Sequence, residues 1–168
     1  MNNDLAKRAD LLLARARGAD LPIVVAESCT AGLLSQLLSD AEGASMLFAG
    51  GFVTYSKDQK TAALGVPRQV LAEKTAVCRE VARAMAEGAL ARSAAGVAAA
   101  ITGVAGPEPD EDGNPVGRVC IAVARTGYPT RAFEHQYGAL GRDTIRERAI
   151  GDALTALIDT VSAVSAVA

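Results

Sequence analysis

LPIVVAESCTAGLLSQLLS, residues 21–39, decides how this chain is read. Residues 21–26 form a short unbroken apolar run, the pattern of a strand buried on both faces. From about Thr30 to Ser39, Leu33, Leu34, Leu37 and Leu38 fall at helical spacing. A strand running straight into a helix is the basic step of an α/β domain. The junction puts Ser28 at or just before a helix N-terminus, where backbone N–H groups lack partners and the helix dipole favours negative charge. Such a place can hold a phosphate or a developing oxyanion. From this segment alone a plain N-cap at Ser28 or Thr30 is the favoured reading, and the two can share it, with Thr30 capping while Ser28 stays free.

Outward from the junction the pattern repeats. Residues 4–17 form an amphipathic helix with Leu5, Ala9, Leu12, Leu13 and Ala16 on one face, stopped by Gly18. Residues 46–55 read as a second strand, with Gly50-Gly51 as a bulge or close backbone approach. Ser56 caps a short helix, KDQKTAAL, that ends at Gly65, and Pro67 opens another. Residues 79–93 form a longer helix with Val81, Ala84, Met85, Gly88 and Ala89 inward. Residues 97–101 are a small-residue strand, 103–115 a loop, 116–124 a strand, and 130–137 another, antiparallel after Gly127-Tyr128-Pro129. Residues 145–164 close the chain as a helix, with Ile150, Leu154, Leu157, Ile158 and Val161 inward. Helices alternate with strands and then strands run together. The expected class is α/β, a three-layer α/β/α sandwich with a mixed, mostly parallel sheet. With no internal repeat and no dividing linker, one domain is expected over residues 1–168.

Composition narrows the function. The 168 residues are 50% hydrophobic but only 4% aromatic, without Trp, so the core must rely on close approach of small side chains. Lys and Arg number 17 against 19 Asp and Glu, which is no footprint for nucleic acid. No run is long and apolar enough for a bilayer, and the charged N-terminal stretch lacks a signal-peptide pattern. Cys29, Cys78 and Cys120 have no disulfide or C-x-x-C spacing, and His135 is the single histidine, so no metal site is expected and the cytoplasm is the natural compartment. The loop acids Glu108, Asp110, Glu111 and Asp112 fail the calcium-loop pattern, since Glu108 and Val119 stand where it needs Asp and Glu.

A serine needs a base to become a nucleophile at neutral pH. A histidine base would have to be His135, late in the chain on a strand. Lysine is the other option: Lys57 and Lys60 sit three apart on the short helix, so one can depress the other, or desolvation can. The bland alternative is two solvated surface lysines. A third candidate segment, residues 101–107, follows a strand and is glycine-rich; its backbone either approaches a ligand or makes a tight turn.

Three stretches, AESCTAGLLSQLL (26–38), GGFVTYSKDQKTAALGV (50–66) and ITGVAGPEPDEDGNPVGRVCIAV (101–123), together resemble the C-terminal domain of the CinA, competence/damage-inducible, family, whose stand-alone form is a nicotinamide-nucleotide amidase. Residues 141–146 resemble the start of that family's last helix. The resemblance covers nearly the whole chain. It implies a three-layer α/β/α fold and hydrolysis of nicotinamide mononucleotide to nicotinate mononucleotide and ammonia, without cofactor or metal. Longer members carry a further N-terminal domain resembling molybdopterin-binding proteins, for which 168 residues leave no room, so its activity is not carried over. By resemblance, Ser28 is the nucleophile, Lys60 a better base than Lys57, and Tyr55 and Thr102 orient the lysine or relay its proton. Cys29, Thr30, Ala31, Gly32, Gly103 and Gly106 are the expected substrate contacts, with Arg142 and Arg146 as weaker candidates for holding the phosphate. Ala31 replaces a commoner glycine, and its methyl is expected to narrow backbone approach to the ligand. The expected partner is a small nucleotide, with no nucleic acid or membrane, in a symmetric homo-oligomer. Two rivals stand beside this reading. One is a non-catalytic nucleotide-binding module using the same helix start and Gly103 loop; the other is an amidohydrolase for a different carboxamide.

Overall fold

The computed structural model describes residues 3–163. The chain runs α1 (Asn3–Ala19), β1 (Ile23–Glu27), α2 (Leu33–Ser39), α3 (Ala44–Leu47), β2 (Phe48–Val53), α4 (Lys57–Leu64), α5 (Arg68–Lys74), α6 (Arg79–Ala91), β3 (Val97–Gly103), β4 (Arg118–Arg125), β5 (Tyr128–Gln136) and α7 (Arg142–Ser162). The strands form one sheet in the order β2-β1-β3-β4-β5. β1 pairs in parallel with β2 and β3, and β4 pairs antiparallel with β3 and β5. Only β4 therefore opposes the common strand direction, as expected for a mixed sheet in an α/β/α sandwich.

The pleat divides the core in two. Val97, Ala99 and Ile101 of β3 face the layer of α1, α2, α3 and α7; Ala98 and Ala100 face the layer of α4, α5 and α6. On that second face the register sets Ala98 against Ala124 and Ala100 against Ala122. Opposite them α6 brings Ala82, Ala86 and Ala89. Burying small residues on both surfaces lets helix and sheet close without aromatic rings. β1 is buried at every position, as its apolar run predicts, while β2 and β5 are the half-exposed edges. Among the described residues no helix is long and apolar enough to cross a membrane.

Several boundaries move. α2 starts at Leu33 rather than Thr30, because Ala31 and Gly32 are left-handed, with φ of 52° and 97°, and break helical continuation. The expected second strand begins at Phe48, residues 44–47 being a helical turn entered at Gly43 with φ 87°. β4 and β5 begin at Arg118 and Tyr128, and α7 at Arg142, three residues before its expected start. Its expected end at Val164 lies outside the described residues. Leu33, Ala84 and Ile158 are only partly buried.

Gly88 of α6 fixes how closely α4 lies against it: a Cβ there would stand 2.0 Å from the Leu64 carbonyl oxygen. Gly88→Ala is expected to destabilise the fold by about 1–3 kcal/mol, the usual range for overpacking. In a domain this size that lowers Tm by roughly 2–10 °C. A thermal melt checks it, and an unchanged Tm would mean that α4 yields freely.

Candidate active site

The chain leaves β1 at Glu27 and turns tightly through residues 28–32 before α2. Ser28 stays tied to the sheet, its N–H donating to the Ile101 carbonyl at 3.0 Å. Behind it, the fully buried Glu27 side chain fills the start of α2. Its Oε2 accepts the N–H groups of Gly32 and Leu34, both at 3.1 Å, and its Oε1 accepts the Ser35 N–H and hydroxyl, both at 2.7 Å. The donors at this helix start are thus satisfied by a carboxylate of the chain itself. That corrects the expectation of an anion at the helix terminus, and the alternative as well. Neither Ser28 nor Thr30 is the cap, since the N-cap position is Gly32 and the buried Thr30 Oγ1 has no hydrogen-bond partner among the described residues.

Lys60 arrives from α4. Ser56 caps that helix by accepting the Gln59 N–H at 3.1 Å, and Gly65 closes it in the left-handed conformation. The Lys60 side chain runs inward and is 1% exposed. Its Nζ lies 2.8 Å from Ser28 Oγ, 2.7 Å from the Thr54 carbonyl oxygen and 3.4 Å from that of Tyr55. Burial pushes the ammonium down to about 8 from 10.5. A neutral amine has two N–H bonds and one lone pair. As an ammonium it donates to all three oxygens; once neutral, it can keep its N–H groups on the two carbonyls and turn the lone pair to the Ser28 hydroxyl.

Lys57 is differently placed. Its Nζ is 2.7 Å from Asp112 Oδ1 and 3.1 Å from Glu111 Oε1. The Asp112 hydrogen bond holds it above the ordinary lysine value, so it stays an ammonium. It does not depress Lys60; desolvation does. Asp112 also accepts the Ala76 N–H at 3.3 Å, which straps the acidic loop across to the segment before α6.

A cavity of about 430 Å³ opens on the Ser28–Lys60 pair. Ser28, Cys29, Tyr55, Lys60, Thr102, Gly103, Gly106 and Arg142 line it, and Glu108, Asp110, Glu111 and Asp112 form one wall. Thr30, Ala31 and Gly32 do not line it, because the turn carries them toward α2, where Gly32 is held by Glu27. Ala31 is exposed, so its methyl touches no ligand space. Its left-handed φ of 52° costs about 1 kcal/mol instead. Tyr55 is 67% exposed, and it is its carbonyl that approaches the lysine. Thr102 Oγ1 donates to the Ala76 carbonyl at 2.8 Å and so fixes the cavity wall. Arg142 Nη1 donates to the Gly106 carbonyl at 2.6 Å. Arg146 Nε donates to the Cys29 carbonyl at 2.8 Å, bracing the Ser28 turn rather than lining the cavity. His135 sits on β5, its Nδ1 3.3 Å from Asp152 and its ring stacked on Tyr137, away from the cavity.

The stretches 26–38, 50–66 and 101–123 thus converge on one cavity, and a family model for the CinA C-terminal domain matches residues 5–161. The chain belongs to the CinA C-terminal domain family. A putative competence-damage inducible protein of Symbiobacterium thermophilum is 44% identical over 141 residues, covering 80% of this chain and 33% of that protein. A CinA-like protein of Mycolicibacterium gilvum is 53% identical over 102 residues, covering 61% and 24%. The chain spans about a third of the length of the curated relatives it matches. Among solved structures, the competence/damage inducible protein of Agrobacterium tumefaciens superposes with a TM-score of 0.91 at 37% identity, covering 95% of this chain and 96% of that one. A CinA superfamily protein of Escherichia coli gives 0.88 at 34% identity, covering 94% and 92%.

Within this CinA domain, sequence reasoning missed Glu27, the Thr54 carbonyl and the Lys57–Asp112 strap. Glu27 carried a signal. An acidic residue that ends a fully buried strand must find partners inside the protein, and the nearest donors are the N–H groups of the helix that follows.

Proposed function

We propose that this CinA-family domain hydrolyses the carboxamide of nicotinamide mononucleotide to nicotinate mononucleotide and ammonia, with Ser28 as nucleophile and Lys60 as base. The observation that carries the reading is the buried Lys60 side chain with its Nζ 2.8 Å from the Ser28 hydroxyl, where burial lowers its pKa to about 8 and brings the neutral amine within reach of ordinary pH. A lysine with no task beside a serine would stay solvated; burying its charge has a cost that general-base catalysis explains. The Cys29 thiol beside it is no rival nucleophile, since burial pushes it up to about 11 and keeps it protonated.

In the first half-reaction Lys60 Nζ takes the Ser28 proton as Oγ bonds to the carboxamide carbon. The N–H of Cys29, at the cavity wall and outside the helix start that Glu27 caps, is the backbone donor offered to the oxyanion. The C–N bond then breaks, and Lys60 returns its proton to the departing nitrogen, which leaves as ammonia. In the second, water loses a proton to Lys60 and attacks the ester. Ser28 regains its proton, and nicotinate mononucleotide leaves as a carboxylate. Arg142, at the cavity wall, suits the phosphate. The nucleotide itself is supported by the resemblance of the three cavity-forming stretches to the amidase family.

The test is ammonia release from nicotinamide mononucleotide in the presence of EDTA, measured from pH 6 to pH 9.5. The rate is expected to rise about tenfold per pH unit at the acid end and to level off above the Lys60 midpoint near 8. Binding of the nucleotide without ammonia release would replace the amidase with a binding module. A flat profile would remove Lys60 as the base.

A further inference from the structure

We infer that Glu27 is a positioning residue that sets both members of the Ser28–Lys60 pair at once, an inference that rests on the Ser–Lys reading above. Its side chain and its main chain act on different partners. The carboxylate takes three backbone N–H groups and one hydroxyl from Gly32, Leu34 and Ser35, which folds residues 28–32 into the turn that presents Ser28. The Glu27 carbonyl accepts the Thr54 N–H at 2.8 Å, and the Thr54 carbonyl in turn accepts Lys60 Nζ at 2.7 Å. One residue at the end of β1 thus fixes the nucleophile through its side chain and the base through its backbone.

The chemistry of the side chain matters. Both carboxylate oxygens accept, and all four donors converge on them. A glutamine has the same shape, but its NH₂ would face N–H groups on one side. The turn must then shift, and it contains a non-glycine residue in the left-handed region, Ala31. A displacement of about 1 Å at a nucleophile costs on the order of 100-fold in rate.

The experiment compares the full chain with Glu27→Gln and with Leu38→Ala, which empties a fully buried site on the same helix away from the Glu27 donors. Ser28 acylating reactivity is read without nucleotide, as the rate of labelling by a fluorophosphonate followed by intact mass, with Ser28→Ala as blank. Ammonia release from nicotinamide mononucleotide is read in parallel. Glu27→Gln is expected to lower the labelling rate and kcat by about 100-fold each, with KM within about twofold. Leu38→Ala is expected to lose at least as much Tm yet to label at the parent rate well below its melting point. Parent-rate labelling in Glu27→Gln, or an equal loss in Leu38→Ala, overturns the inference. If the parent labels at Ser28, Glu27→Gln does not, and neither releases ammonia, the inference stands and the amidase reading fails. A parent that does not label at Ser28 overturns both.

Discussion

Ser28→Ala is expected to lower ammonia release from nicotinamide mononucleotide by about 10⁴-fold or more, the scale seen when a catalytic nucleophile is removed. The fold has little reason to change. The hydrogen bond that ties this residue to the sheet runs from its backbone N–H to the Ile101 carbonyl, and alanine keeps it. What disappears is the hydroxyl 2.8 Å from Lys60 Nζ. No other nucleophile is in a position to take over, because the Cys29 thiol is held protonated near 11. Calorimetric binding of the nucleotide should stay within a few-fold of the parent, since a hydroxyl-to-hydrogen change removes little contact area. Turnover retained above 1% of the parent would mean that water attacks directly.

Lys60→Met is expected to abolish activity to a similar extent and, at neutral pH, to raise stability. The unfolded chain titrates this lysine at 10.5 and the folded chain at about 8. Between those values the unfolded state binds more protons, so folding becomes more favourable as pH rises through the window. Below about 8 the fold carries the full cost of burying the ammonium, about 3 kcal/mol; above 10.5 that cost is gone. Methionine fills nearly the same volume without charge. It leaves the Thr54 and Tyr55 carbonyls without the amine, at about 1 kcal/mol each. The net gain at pH 7 is about 1 kcal/mol, or roughly 2–4 °C in Tm. By pH 10.5 the sign should reverse, because only the carbonyl loss remains. Melts at the two pH values check this. A variant less stable than the parent at pH 7 would show that the amine is held there without strain on the fold. Stability given up for a neutral base is the usual trade at an active site.

Much of this was legible in the residues. The apolar run 21–26 and the leucines at 33, 34, 37 and 38 mark β1 and α2, and the cap at Ser56 with the stop at Gly65 delimits α4. The alanines of β3 and α6 foretell a close-packed second layer. Two features of the site were hidden for definite reasons. Periodicity sees apolar spacing, so it started α2 at Thr30 and did not register that a left-handed Ala31-Gly32 pair delays the helix. The cap was sought among Ser28 and Thr30, yet it comes from Glu27, six residues before the first helical turn at Leu33, because a long carboxylate side chain reaches where a hydroxyl would not. Spacing alone could not separate Lys57 from Lys60. Their environments do: one lies against Asp112 and Glu111, the other is shut in the interior. The resemblance makes side-chain actors of Tyr55 and Thr102; the structure brings the Tyr55 carbonyl to the lysine and sets the Thr102 hydroxyl on Ala76.

If Ser28 and Lys60 work as a unit, a double-mutant cycle shows it. Ammonia release from nicotinamide mononucleotide is measured at pH 8.5 with EDTA for the parent, Ser28→Ala, Lys60→Met and the two combined. A dyad predicts that the double variant is no slower than either single one, because each alone already abolishes the shared step. Losses that multiply, with the double variant slower by the product of the two, would contradict it: serine and lysine would then contribute separately, and the 2.8 Å contact would not be the seat of the chemistry.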